Sequence, residues 1–178
     1  MRRTFLVLIS VTLFCGALGG PTPKRRNANT CADPSLAEIF TQAYSPSQKA
    51  HAVDVIEDFA TADDNGVDWQ IQKETFIAWK TEQEFTVPLY VLNNPTTQDF
   101  IYIMSTDGTV PTASGFVVGG IVGHVYSTQI CGSVPLFILF QDVFGDHWHT
   151  TSAVERDGFV RSGWIDSGIA AYVLPLSS

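Results

Sequence analysis

The sequence contains little positive charge for its length. Its 178 residues include ten lysines and arginines against 18 acidic residues, and five of those ten cations precede residue 27. Residues 27–178 therefore carry a formal charge of −13 with histidine neutral. Nucleic acids and anionic membranes attract basic surfaces, so this imbalance argues against both as partners.

Familiar catalytic motifs are also missing. The sequence has neither a G-x-S-x-G nucleophile elbow nor an H-E-x-x-H zinc motif. Gly119-Gly120 has no helix-like segment after it and does not resemble a phosphate-binding loop. Pairs of carboxylates suitable for hydrolysis are unavoidable among 18 acids and therefore uninformative. We expect neither an enzyme nor a cofactor, and a hydrolase is the least favoured interpretation.

The N-terminal segment is typical of a secretory signal peptide. Arg2 and Arg3 precede an apolar run from Phe5 to Phe14, which small residues follow up to Gly19. The run is shorter than a membrane-spanning helix needs to be. Residues 1–19 therefore predict export to the extracellular space. Residues 20–30 contain a basic triplet and are either a linker or a propeptide.

Cysteine is scarce, and one of the three cysteines lies in the predicted signal peptide. The exported chain would keep only Cys31 and Cys131, which have one possible intramolecular pairing. We expect a disulfide bond, with two buried or unpaired thiols as the alternative. A bond closing a loop of about 100 residues contributes roughly 4–5 kcal/mol in the chain-entropy model.

An internal repeat is the strongest pattern in the chain. Val87-Pro88-Leu89-Tyr90 reappears 47 residues later as Val134-Pro135-Leu136-Phe137, and the same offset relates Asp99 to Asp146. A third, degenerate copy begins at Ala37, about 50 residues before Val87. The predicted units are about 36–81, 87–128 and 134–176, within one domain at 31–178. One such unit cannot bury its own apolar face, which favours a closed fold.

Each unit is predicted to contain four short strands. In the second unit these are Pro88–Leu92, Asp99–Met104, Phe116–Val118 and Ile121–Tyr126, the last two separated by Gly119-Gly120. Short helical turns are expected at Ser152–Asp157, with Ser152 as the N-cap, and at Asp54–Ala62. Three units of four strands fit an all-β, β-trefoil-like fold, whereas a propeller needs at least four blades.

The third unit resembles an uncharacterised secreted repeat family of fungi and bacteria, a domain of unknown function. The resemblance is carried by Pro135-Leu136-Phe137, Gly145–Ala153, Gly163-Trp164 and Gly168–Val173. It extends in weaker form over roughly Ala37–Pro175, and it implies an extracellular module for which carbohydrate or cell-wall binding is often supposed. The chain departs from the family pattern at Ile138, His149 and Ser167, and in the second unit at Phe100. A single site in the third unit is therefore favoured over three.

Acidic and histidine side chains cluster in this third unit, at Asp146, His147, His149 and Glu155. On a strand, His147 and His149 project to one face and could contact a ligand. A metal site would need a third ligand that the sequence does not obviously supply, so we expect no metal. A structural role is the favoured interpretation for His147, which would then be hydrogen-bonded to a neighbouring glutamate or a backbone carbonyl.

Aromatic side chains offer a second set of candidates. Trp69 and Trp79 could stack on sugar rings. By contrast, Trp148 and Trp164 align with Ile101 and Phe116, which favours apolar core positions for both.

Together these features predict a secreted, monomeric, lectin-like binding module whose partner is a glycan. The alternative is an effector or protease inhibitor directed at an extracellular protein. Such a protein would present the polar loops Asp63–Asp68 or Thr106–Ser114 to its target.

Overall fold

The computed structural model describes residues 31–176, which form three similar three-stranded antiparallel sheets. After a 3-10 turn at Pro34–Leu36, the first unit contains β1 (Glu38–Ser45), β2 (Ala50–Asp54), α1 (Ile56–Asp64) and β3 (Gln70–Ala78). The second contains β4 (Val87–Asn93), β5 (Phe100–Met104) and β6 (Val117–Val125). The third contains β7 (Val134–Gln141), β8 (Asp146–Thr150), α2 (Ala153–Arg161) and β9 (Ile165–Val173). The signal peptide and the linker predicted for residues 1–30 lie outside the described residues.

The first strand of each unit is the central one, and the other two pair with it on either side. The sheets are built from residues that favour strands, with leucine and phenylalanine facing the core. The described chain is therefore mainly β-structure, as predicted. No helix within residues 31–176 has the length and apolar character needed to cross a membrane.

The units contain three strands each rather than the four predicted. β6 runs without interruption through Gly119-Gly120, where its pairing with β4 shifts register. Gly120 has φ of 129°, a backbone conformation that glycine adopts without strain, so the pair forms a bulge rather than a break. Gly168, with φ of 98°, occupies the same place in β9.

Strand pairing also fixes which residues are equivalent. Tyr44 pairs with His51 in the first unit, as Phe140 pairs with His147 in the third. His51 and His147 are therefore equivalent, and Phe100 is their counterpart in the second unit because it pairs with Asn93. The first and second units are offset by 49 residues, one fewer than the sequence alignment indicated. The offset of 47 between the second and third units agrees with it.

Helices follow the second strand in the first and third units. In α2 the Ser152 side chain accepts a hydrogen bond from the Glu155 amide at 3.2 Å, which confirms the predicted N-cap. α1 begins after Val55 and has no side-chain cap of this kind. Residues 105–116 of the second unit form an irregular loop at the corresponding place.

The ends of the three sheets join around a shared core. Isolated bridges pair Ile77 with Leu174, Trp79 with His124, and Tyr126 with Tyr172, so each unit is bonded to the other two. The main cluster beneath them includes Phe40, Phe76, Leu89, Val125, Leu136 and Val173.

The predicted disulfide is confirmed. Cys31 and Cys131 lie with their sulfur atoms 2.11 Å apart and their Cα atoms 5.7 Å apart. The bond attaches the N-terminal arm to the segment that connects the second and third units. Trp79 and Tyr126 pack beside this arm, and the Tyr126 hydroxyl accepts a hydrogen bond from the Ala32 amide.

Candidate functional site

At two of the three junctions between units, a buried carboxylate bonds the hairpin of one unit to the hairpin of the next. At the junction of the third and first units, Asp146 accepts a hydrogen bond from the His51 amide at 2.9 Å. Its other oxygen lies 2.6 Å from His51 Nδ1. The two contacts hold the imidazole in one orientation, and a neutral His51 that donates from Nδ1 presents Nε2 as an acceptor.

The same arrangement recurs at the junction of the second and third units. Asp99 accepts a hydrogen bond from the His147 amide at 3.0 Å, and its second oxygen lies 2.7 Å from His147 Nδ1. At the junction of the first and second units the equivalent pair is Ala50 and Phe100. Phe100 packs against the ring of Trp69 there, so this junction is apolar.

A pocket of about 480 Å³ opens at the junction of the third and first units. Its lining combines aromatic rings, two amides and the oriented imidazole: Tyr44, Lys49, His51, Gln72, Gln141, Phe144, Asp146 and Trp164. The ring of Tyr44 lies 4.8 Å from that of His51, and Gln72 Nε2 lies 3.4 Å from His51 Nε2. Phe144, on the β7–β8 turn, is 76% exposed at the edge of the pocket.

The corresponding junction of the second and third units is filled differently. Phe140, in the place of Tyr44, stacks on His147 with ring centroids 4.6 Å apart and planes 28° apart. The Tyr44 ring is tilted by 41° to His51 instead. An apolar ring therefore covers the imidazole at one junction, whereas a phenol stands beside it at the other.

Aromatic stacking supports one wall of the pocket. Phe159 of α2 stacks on Trp148 at 5.1 Å and meets Trp164 edge-to-face at 4.8 Å. Lys73 lies over the Trp148 ring, 4.9 Å from its centre. Glu155 holds this lysine in place, accepting hydrogen bonds from its Nζ and from the Thr150 hydroxyl.

The predicted histidines do not share a site. His147 is bound to Asp99, while His149 is fully buried and meets the Tyr102 ring edge-on at 4.8 Å. Burial lowers the pKa of His149 to about 3, and the neighbouring His147 and His51 add to the effect. Neither ring nitrogen of His149 has a hydrogen-bond partner among the described residues. Residues 31–176 contain no cluster of three or more His, Cys, Asp or Glu side chains that would hold a metal.

The predicted tryptophans lie elsewhere in the fold. Trp79 is fully buried and donates from Nε1 to the Asp33 carbonyl at 2.7 Å, so its ring offers no face to a ligand. Trp69 packs on Phe59 and lines a small pocket of about 150 Å³ that also includes Asp54. Burial raises the pKa of Asp54 to about 6, which the adjacent Lys80 opposes.

Of the predicted ligand-binding candidates, the structure places Asp146 in the larger pocket and Glu155 in an adjoining one. The other residues of the larger pocket, including His51, were not predicted as site residues, and Trp164 was expected in the apolar core. An offset of 49 instead of 50 for the first unit would have aligned His51 with His147. The available signal was a histidine at the same position in two of the three units: His51 follows Ala50, and His147 follows Asp146.

The family comparison matches residues 39–174 to a model described as "Domain of unknown function (DUF5648)". No curated protein and no solved structure matches the chain.

Proposed function

We propose that this chain, which belongs to the DUF5648 family of domains of unknown function, is an exported, non-enzymatic module that binds a carbohydrate. The family agrees with the resemblance to an uncharacterised domain that the sequence indicated. The Cys31–Cys131 disulfide supports export, because such bonds persist in oxidising compartments. The ligand lies in the pocket between the first and third units.

The composition of the pocket carries this proposal. A sugar ring presents an apolar C–H face together with hydroxyls that both donate and accept hydrogen bonds. Tyr44 and Trp164 supply aromatic faces for the first. Gln72 and Gln141 supply amides that donate and accept, and His51 Nε2 adds a hydrogen-bonding nitrogen whose direction Asp146 fixes.

The three-unit architecture gives the site its uniqueness. We propose a β-trefoil-like arrangement, supported by the three bridges that connect each unit to the other two. In such an arrangement Trp69, Phe116 and Trp164 are equivalent, since each precedes the first residue of β3, β6 or β9. Within residues 31–176, only the third-to-first junction combines a tryptophan with a His–Asp pair, so we expect one glycan site in this part of the chain.

A glycan array of fungal and plant cell-wall oligosaccharides tests the proposal with a matched pair of variants. Trp164→Ala removes an aromatic wall of the pocket, and we expect it to abolish glycan binding. Trp69→Ala removes the equivalent residue at the apolar junction, and binding should persist. The proposal fails if the native chain binds no glycan, or if the two variants bind equally well.

A protein-directed function is the second candidate, and one observation favours it. Val143 and Phe144, adjacent on the β7–β8 turn, are 77% and 76% exposed, which gives this hairpin an apolar tip. Such a tip could enter the cleft of a partner enzyme. Inhibition in a panel of secreted proteases, without glycan binding, would establish this function instead.

The two loops predicted to contact a protein, Asp63–Asp68 and Thr106–Ser114, are partly held by internal hydrogen bonds. Asp63 accepts a hydrogen bond from the Trp69 amide, and Asp68 accepts one from the Ser45 hydroxyl at 2.5 Å. Asp107 similarly accepts hydrogen bonds from the amide and hydroxyl of Thr109. The β7–β8 turn therefore replaces them as the preferred contact segment.

A further inference from the structure

Trp164 lines two pockets rather than one. Beyond the pocket that holds His51, a second pocket of about 380 Å³ is lined by Trp164 and by Glu155, Gly158, Phe159 and Ser162. We propose that the two pockets are adjacent subsites for consecutive rings of one glycan chain, with Trp164 between them. This inference rests on the proposed function and specifies its ligand as an oligosaccharide.

The position of Trp164 is fixed by its surroundings. It follows Gly163, whose φ of 93° turns the chain from α2 into β9. Phe159 meets the indole edge-to-face and is itself stacked on Trp148. A wall held in this way can divide two subsites without first having to be ordered by the ligand, which reduces the entropic cost of binding.

Gly158 lines the second pocket at a position with free space around it. A Cβ atom built there would meet only the Arg161 guanidinium, at 3.9 Å, so this position can accept a side chain. The pocket also has a volume within the range of small-molecule sites, about 300–1,000 Å³.

The polar groups of the second pocket suit a neutral sugar ring. The Ser162 hydroxyl donates to the Gly158 carbonyl at 3.0 Å, and its lone pairs can accept from a sugar hydroxyl. Glu155 is paired with Lys73, so its charge is compensated. An uncharged ring therefore meets hydrogen-bond acceptors here without an unpaired carboxylate.

Chain length of the ligand is the direct test. We would titrate the native protein by calorimetry with β-1,4-linked N-acetylglucosamine oligomers and β-1,3-linked glucose oligomers of one to six rings. In the series that binds, two adjacent subsites predict affinity at least about tenfold higher for oligomers than for the single ring. Equal affinity for one ring and for longer oligomers would overturn the inference and leave the proposed function standing. If neither series binds at any length, this carbohydrate assignment and the inference both fail.

Gly158→Gln provides the complementary test. The new side chain occupies the second pocket without touching the first, and glutamine favours a helix more than glycine does. We expect the gain from chain length to disappear while affinity for the single ring is unchanged. Val160→Gln, on the same helix and outside both pockets, should retain the gain. A Gly158→Gln variant with the melting temperature of the native protein that still binds oligomers more tightly than the single ring would show that the second pocket is not a subsite.

Discussion

His149 is an imidazole held in the protein interior without a hydrogen-bond partner among the described residues. Because its pKa is lowered from 6.5 to about 3, the unfolded chain binds a proton at this residue over a pH range where the folded chain does not. The free energy of unfolding therefore decreases as pH falls from about 6.5 towards 3. Asp54, whose pKa is raised to about 6, acts in the opposite direction between about 6 and 3.8.

Replacing His149 separates these effects. His149→Val introduces the residue that occupies the equivalent position in the first unit, Val53. We expect the variant to lose less stability than the native protein between pH 7 and pH 4, by about 1 kcal/mol or more. Urea unfolding at the two pH values measures this difference, independently of any cavity cost, which is the same at both. An unchanged difference would show that His149 does not govern acid sensitivity.

Phe144 and Val143 offer a matched pair of substitutions that tests the proposed glycan pocket. Both are more than three-quarters exposed on one turn, but only Phe144 lines the pocket. Phe144→Ala should weaken glycan binding by about tenfold, as expected when an aromatic stacking contact is removed. Thermal stability should not change, because the side chain is already solvated. Val143→Ala should change neither quantity, and weakening by both variants would favour protein contact instead.

Of the Asp146–His51 pair, the sequence predicted only Asp146 as a site residue. Asp146 was identified because it lies close to His147 and His149 in the sequence. Its partner, His51, lies 95 positions earlier, in the most divergent unit. Contacts between units depend on strand register, and one residue of misalignment was enough to hide the pair.

The His–Asp contact joins neighbouring hairpins, and in the hairpin β1–β2 its histidine also lines the pocket. His51 and His147 make the same bonds to buried carboxylates, but only His51 lines the pocket. Each substitution by phenylalanine, the residue of the second unit, leaves a buried carboxylate with one fewer donor. We expect His51→Phe and His147→Phe each to cost about 1–3 kcal/mol of unfolding free energy.

Binding should separate the two variants. Chemical denaturation gives the stability of each, and the glycan array gives binding at a temperature where both are folded. His51→Phe should bind no glycan, whereas His147→Phe should bind like the native protein. Loss of binding in both would mean that hairpin docking, rather than the imidazole, creates the site.

Element types were easier to predict than element boundaries. The N-cap at Ser152 and the helix after it follow from local hydrogen bonding, which the sequence shows directly. Gly119-Gly120 was read as a strand break because glycine weakens strands. The neighbouring strand β4 keeps the pairing across the bulge, and that support comes from a segment distant in sequence.

For the molecule as a whole, divergence among three similar units explains why one pocket differs from the rest. The all-β class and the repeat were visible in the spacing of apolar residues. The asymmetry was not, because it depends on side chains that meet across the junctions. Tyr44 stands beside His51 at one junction and Phe140 stacks on His147 at the next, whereas Phe100 replaces the histidine at the third and packs on Trp69. Such differences arise only once the three hairpins are packed together.

The disulfide tests how far the site depends on the rest of the molecule. Replacing both Cys31 and Cys131 by serine removes a link that closes about 100 residues, for which the chain-entropy model gives about 4.7 kcal/mol. We expect a loss of up to that size, measured by guanidinium unfolding. The arm keeps its hydrogen bond to Tyr126, so the fold should persist at 25 °C.

Glycan affinity at that temperature should match the native value in the double-serine variant. The pocket is built by the first and third units, and none of its lining residues belongs to the arm or to the segment around Cys131. A large loss of stability with intact binding would show that the bond secures the fold without shaping the site. Weaker binding by a variant that circular dichroism shows to be fully folded would instead mean that the arm positions the third unit against the first.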